Sequence, residues 1–116
     1  MRILLDHCVP KPFGRAFPAH DVKTTSQMGW EQLQNGKLLA QAAAASFEVF
    51  LTVDKNIRHQ QNLQTLPLAI IVLNVSMNTP QALLPFAPLV ERALTVLVPR
   101  QVIEIDAAGT VTLVTA

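Results

Sequence analysis

Two stretches of this chain run apolar without a break and then stop at an acid. Val49-Phe50-Leu51-Thr52-Val53 carries one threonine and no charge before Asp54, and Ile3-Leu4-Leu5, after Arg2, ends at Asp6. Short runs of this kind, bounded by polar residues, predict strands of a parallel sheet covered on both faces. Residues 68–73 form a third such run, closed in front by Pro67. Each of the first two strands would carry its aspartate to its carboxyl end, where open α/β sheets bind their ligands.

Between and after these strands the pattern changes period. Residues 9–18 hold three prolines around Phe13, Ala16 and Phe17, predicting a short helical turn with proline in its first turn. Residues 22–25 predict a brief, less buried strand, and Met28-Gly29-Trp30 a loop or single helical turn that packs one aromatic onto the body. Asn35 reads as the N-cap of a helix over 36–46, whose face is Leu38, Leu39, Ala42 and Ala45. Residues 56–65 show no apolar stripe and read as a polar helix or loop. Thr79-Pro80 starts another helical segment, Pro85 and Pro88 interrupt it, and a helix follows over about 86–97. Residues 101–105 and 110–114 alternate around Ala107-Ala108-Gly109, predicting a C-terminal β-hairpin on a sheet edge or at a homodimer contact. Strands alternating with helices imply a mostly parallel sheet in a three-layer α/β/α arrangement.

Length and composition narrow the class further. At 116 residues, half of them hydrophobic, the chain is expected to form one domain spanning 1–116 with a core of its own. A net charge of +1 gives no overall electrostatic footprint for nucleic acid, although Lys11, Arg15, Lys55 and Arg58 could form a local cluster. The one cysteine, Cys8, has no internal disulfide partner, which fits a reducing cytoplasm. The chain opens as a strand rather than as a charged leader with an apolar core, and no run is long enough to cross a membrane. A cytoplasmic protein with no membrane association is the expectation.

The candidate chemistry begins with Asp6 and Asp54. If their strands are neighbours, both carboxylates enter one crevice. Two such acids repel unless a cation lies between them, and a hard divalent ion such as Mg²⁺ or Mn²⁺ takes oxygen ligands of this kind while keeping several waters. Such an ion can polarise a phosphodiester and activate water. The competing reading makes each aspartate a helix cap. Asn35 is the third candidate, explained equally by capping. Asn56, His59, Gln60, Gln61 and Asn62 crowd together after Asp54, either as a solvated surface or as amides and imidazole suited to hydrogen bonding a sugar, a base or a partner's backbone. His7 and Cys8 with His20 and His59 lack zinc-ligand spacing, and the four glycines form no phosphate loop. A phosphoacceptor receiver domain would need a second acid where His7 stands and a lysine after a late strand, and no lysine follows Lys55.

Taken together, 2-RILLDHCVP-10, His20-Asp21-Val22, Met28-Gly29-Trp30, Asn35-Gly36 with Leu38, Leu39 and Ala42, 50-FLTVD-54 and 60-QQNL-63 resemble the short, stand-alone bacterial PIN-like proteins associated with toxin–antitoxin pairs. The resemblance runs from residue 1 to about 105. It implies a PIN-like sandwich related to Mg²⁺- or Mn²⁺-dependent ribonucleases, with Asp6 and Asp54 as metal-binding carboxylates and Asn35 at a third catalytic position. His7, Asn56, His59, Gln60, Gln61 and Asn62 would then face substrate. The implied partners are RNA and an antitoxin-like protein. Two positions depart from the pattern: the family usually has an acid where His7 stands, and many members have an aspartate in place of Asn35. Two acids are visible where PIN nucleases hold three or four. The second reading is therefore a catalytically degenerate PIN-like module that binds RNA or protein without turnover.

Overall fold

A computed structural model of the chain describes residues 1–114. The protein is mixed α/β, built on one six-stranded sheet. Its strands are β1 (Arg2–Leu5), β2 (Asp21–Thr24), β3 (Val49–Thr52), β4 (Ala69–Asn74), β5 (Val102–Asp106) and β6 (Val111–Val114). They lie in the order β2-β1-β3-β4-β5-β6. The first five are parallel, and β6 returns antiparallel to β5. The helices are α1 (Thr25–Met28), α2 (Asn35–Ala44), α3 (Ile57–Gln60), α4 (Pro80–Leu83) and α5 (Ala87–Val96), with 3₁₀ turns at Lys11–Ala16 and Leu84–Phe86.

The apolar runs become central strands because both of their faces are covered. Ile3, Leu5, Val49, Leu51, Ile71, Leu73, Ile103 and Ile105 pack on one face with Phe13, Phe17, Leu83, Phe86 and the inner side of α5. Leu4, Phe50, Ile70, Val72 and Val102 fill the other face with Leu38, Leu39 and Ala42 of α2, Phe47 and Ile57. Three prolines in residues 9–18 tighten that segment into the Lys11–Ala16 3₁₀ turn, and Phe13 within it meets Phe17 at its end edge to face at 5.2 Å. Phe47 is gripped by Trp30, at 5.8 Å, and by the Arg2 guanidinium, 4.1 Å above its ring.

Several boundaries differ from the sequence reading. Thr25 leaves β2 to begin α1, because Thr24 and Gln27 form a reciprocal capping box and Gly29 closes the turn at φ 73°. Helix α2 starts at Asn35 itself, with Gln34 rather than Asn35 in the cap position and no side-chain cap bond there. Residues 56–65 contain a helical turn anchored by Ile57, only 2% exposed, which a search for a full helical stripe passes over. The hairpin forms as expected: Asp106 Oδ1 accepts from the N–H groups of Ala108 and Thr110, and Gly109 turns at φ 87°. No helix among the described residues is long and apolar enough to cross a membrane.

Candidate functional site at the strand switch

The strand order creates a crevice. The chain leaves β1 for β2 on one side, then crosses to β3 on the other, so the connections diverge at the β1–β3 boundary. Ligands of open α/β sheets bind outside the carboxyl ends of the strands at such a switch. Leu5 pairs with Leu51, so the next residue on each strand, Asp6 and Thr52, stands at this rim. Asp54 follows two residues beyond Thr52. The two aspartates thus reach one end of two adjacent strands, as the sequence requires if they are to share a ligand.

Asp6 is buried, at 7% exposure, and its carboxylate is held on both oxygens. Oδ1 accepts the backbone N–H of His7 at 2.8 Å and lies 2.9 Å from Nδ1 of the same residue. Oδ2 accepts from the Thr52 hydroxyl at 2.8 Å and from the Cys8 thiol at 3.5 Å. Thr52, fully buried, in turn accepts the N–H of Asp54 at 3.0 Å. Asp54 is half-buried, and its Oδ1 accepts from the N–H of Asn56, turning the chain into α3. Asp54 thus organises the turn it precedes without capping α3, whose N-cap is Asn56.

Thr52 and Cys8 are the residues a sequence search for acids misses. The threonine is the one polar residue in the β3 run, and only the register with β1 shows what it touches. Cys8, half-buried, lies 3.6 Å from the Thr52 hydroxyl, and its carbonyl accepts from Nδ2 of Asn78, which ties the loop after β4 to this end of β1. Burial pushes the Cys8 thiol above its ordinary pKa; the nearby Asp6 charge adds to this and the Val53 backbone opposes it.

The other sequence candidates are distributed around the same end. Arg2 Nε donates to the carbonyl of Ala45, so α2 ends at the amino end of β1. Asn35 is at the other end of α2. The side chains of Asn35 and Arg58 lie outside the described part of the structure. Asn56, His59 and Gln60 are exposed on and just before α3, Gln61 is half-buried, and Asn62 is exposed. Asn62 has a local explanation, since its Oδ1 accepts the N–H of Gln64. His20 is placed elsewhere, between the terminal amine and Glu91 at the amino end of β1.

Cationic side chains line two cavities that exclude both aspartates. A cavity of about 580 Å³ opens beside Lys55, Asn74, Ser76 and Ala107, and a smaller one of about 180 Å³ is lined by Lys11, Arg15 and Thr24. A third, of about 420 Å³, lies between α5 and the hairpin, and it too includes neither aspartate. Among the described residues, no three histidine, cysteine or acidic side chains are grouped to enclose a metal ion. Asp6 and Asp54 nevertheless have the donor chemistry of a hard divalent cation, which binds through one or two carboxylates and retains water. Of the groups on Asp6, the His7 ring alone is largely solvent-exposed, at 74%, so Oδ1 meets solvent on the His7 side.

Comparison with protein-family models, with curated proteins and with solved structures gave no match.

Proposed function

We propose that this chain is a PIN-like endoribonuclease dependent on Mg²⁺ or Mn²⁺, acting at the β1–β3 switch. The observation that carries this reading is the arrival of Asp6 and Asp54 at the carboxyl ends of two adjacent parallel strands. Core side chains on both faces of the sheet support the PIN-like sandwich in which such a site would sit. Asp6 and Asp54 would hold the ion, which when bound supplies positive charge to a phosphodiester and acidifies a coordinated water. Thr52 fixes the orientation of Asp6 by donating to Oδ2. Lys11 and Arg15, which line one cavity, and Lys55, which lines another, would meet backbone phosphates. The exposed amides and imidazole that follow Asp54 suit bases and sugar hydroxyls of a single strand. The resemblance noted in the sequence extends this proposal to the toxin half of a toxin–antitoxin pair in the cytoplasm, with a protein antitoxin as partner.

The test is cleavage of several structured and unstructured RNAs by nuclease-free protein. Cleavage should require Mg²⁺ or Mn²⁺ and fall to background in Asp6→Asn and Asp54→Asn. Absence of metal-dependent cleavage across the set contradicts the proposal.

One observation favours a second reading. Both oxygens of Asp6 are already engaged by the protein's own groups, and the metal-donor cluster is sparse. A non-catalytic module that binds RNA or a protein at the same crevice would need no ion. Its binding would survive chelation of divalent cations, with no turnover.

A further inference from the structure

We infer that the cavity beside Lys11 and Arg15 binds a phosphate monoester, the terminal phosphate of an RNA strand. That the ester belongs to RNA rests on the nuclease reading above; the anion site itself does not. The cavity measures about 180 Å³, below the ~300–1,000 Å³ of pockets that enclose drug-sized ligands. Leu5 and Thr24, register partners at the last positions of β1 and β2, both line it. It therefore opens at the carboxyl rim, one residue along the chain from Asp6. Gly14 lets it form. A Cβ there would come 3.1 Å from Cγ1 of Val22, so glycine allows the Lys11–Ala16 turn to lie this close to β2.

The lining offers donors and no carboxylate. Lys11 and Arg15 are exposed, and among the described residues neither is paired with an acid. Thr24 is 9% exposed; its hydroxyl accepts the Gln27 N–H at 3.1 Å, and among the described residues its own proton goes to no protein acceptor. Gln27 commits its amide oxygen to the N–H of Thr24 at 2.9 Å, which leaves Nε2, a donor only. Two cations, a hydroxyl and an amide thus border one small space with no anion among them. Two positive charges match a monoester, which carries about −1.5 to −2 at neutral pH, better than the single charge of a diester. Arginine meets phosphate with two parallel N–H groups and lysine meets it as a point charge. The cavity at Lys55 and the one between α5 and the hairpin each bring in one cation, Lys55 or Arg92.

The experiment uses the intact chain in EDTA. The probes are inorganic phosphate and one single-stranded RNA sequence carrying a 5′-phosphate, a 3′-phosphate or hydroxyls at both ends. Inorganic phosphate should shift the Gln27 side-chain amide and the backbone amides of Gly14 and Arg15 saturably in NMR spectra. A phosphate at one end should raise RNA affinity about tenfold over the hydroxyl-ended strand. Lys11→Gln and Arg15→Gln, both at exposed side chains, should each remove most of that gain, and Lys55→Gln should keep it. Cleavage is not read, so failure of the metal-dependent reaction leaves this result standing. Saturable shifts with equal affinity for all three RNAs overturn the RNA end and leave a site for free phosphate or a small phosphate ester. Absence of saturable shifts, or shifts unchanged when Lys11→Gln and Arg15→Gln are combined, overturns the site.

Discussion

A single hydroxyl joins Thr52 to Asp6 across the β1–β3 boundary: Oγ1 donates to the Asp6 carboxylate at 2.8 Å and accepts the N–H of Asp54 at 3.0 Å. The side chain of one aspartate and the backbone of the other, 48 positions apart in sequence, are thereby fixed to the same atom. A threonine suits this place because its β-branch fits a strand and its hydroxyl both gives and receives.

Thr52→Val keeps the shape and removes the link. A buried carboxylate oxygen loses a donor and the Asp54 N–H loses its acceptor, at a cost of about 1–3 kcal/mol. Thr52→Ser keeps the hydroxyl and should lie closer to the wild type. Urea unfolding of the three proteins checks this; a valine variant as stable as the wild type would show that the hydroxyl contributes nothing.

Ile57 holds the turn after Asp54 to the sheet. It is 2% exposed and packs among Leu38, Phe50 and Leu66. Ile57→Ala should cost about 2–4 kcal/mol by leaving a cavity. Amide exchange over residues 56–60 should accelerate more than over β4. Uniform acceleration would mean that Ile57 supports the whole core rather than this turn.

These two residues also show how far the sequence reading reaches. The α/β class, the mostly parallel sheet, the buried strands and the terminal hairpin follow from runs and alternation, because burial on two faces leaves a plain apolar signature in residues 3–5, 49–53 and 69–73. The adjacency of β1 and β3 is a matter of topology, and it follows from the usual place of a first strand in a doubly wound sheet. Ile57 leaves no trace in the pattern because a four-residue helix with one buried side chain has no period to detect. The Thr52 bond depends on cross-strand register, and the His7 ring contact on a side-chain rotamer, neither of which is written in residue spacing. The cap of α2 fell one residue early, on Gln34 in place of Asn35, within the ordinary spread of helix ends.

Cys8 offers a readout from inside the crevice. Burial raises its pKa, so the folded protein keeps the thiol protonated where an unfolded chain has begun to ionise. Stability attached to this group is present below the ordinary thiol range and declines as pH rises through it, since the unfolded state then binds fewer protons than the native state. Cys8→Ala should flatten that part of the stability profile. At neutral pH, alkylation of Cys8 should be slower in native protein than in urea; equal rates would contradict a half-buried, protonated thiol.

Gly29 tests backbone strain separately from packing. It ends α1 at φ 73°, and an added Cβ would have no atom within 4 Å to strike. Gly29→Ala should therefore cost only the left-handed penalty, about 1–2 kcal/mol. A loss well above this, by thermal or urea unfolding, would point to a role for residue 29 that its surroundings do not contain.

The most direct measurement of the central claim is a crystal of this chain soaked in Mn²⁺, with anomalous differences recorded near the manganese absorption edge. The account predicts one dominant peak at the β1–β3 rim, in contact with carboxylate oxygens of Asp6 and Asp54 and absent from crystals of Asp6→Asn. A dominant peak elsewhere, or a rim peak that persists in Asp6→Asn, would contradict it.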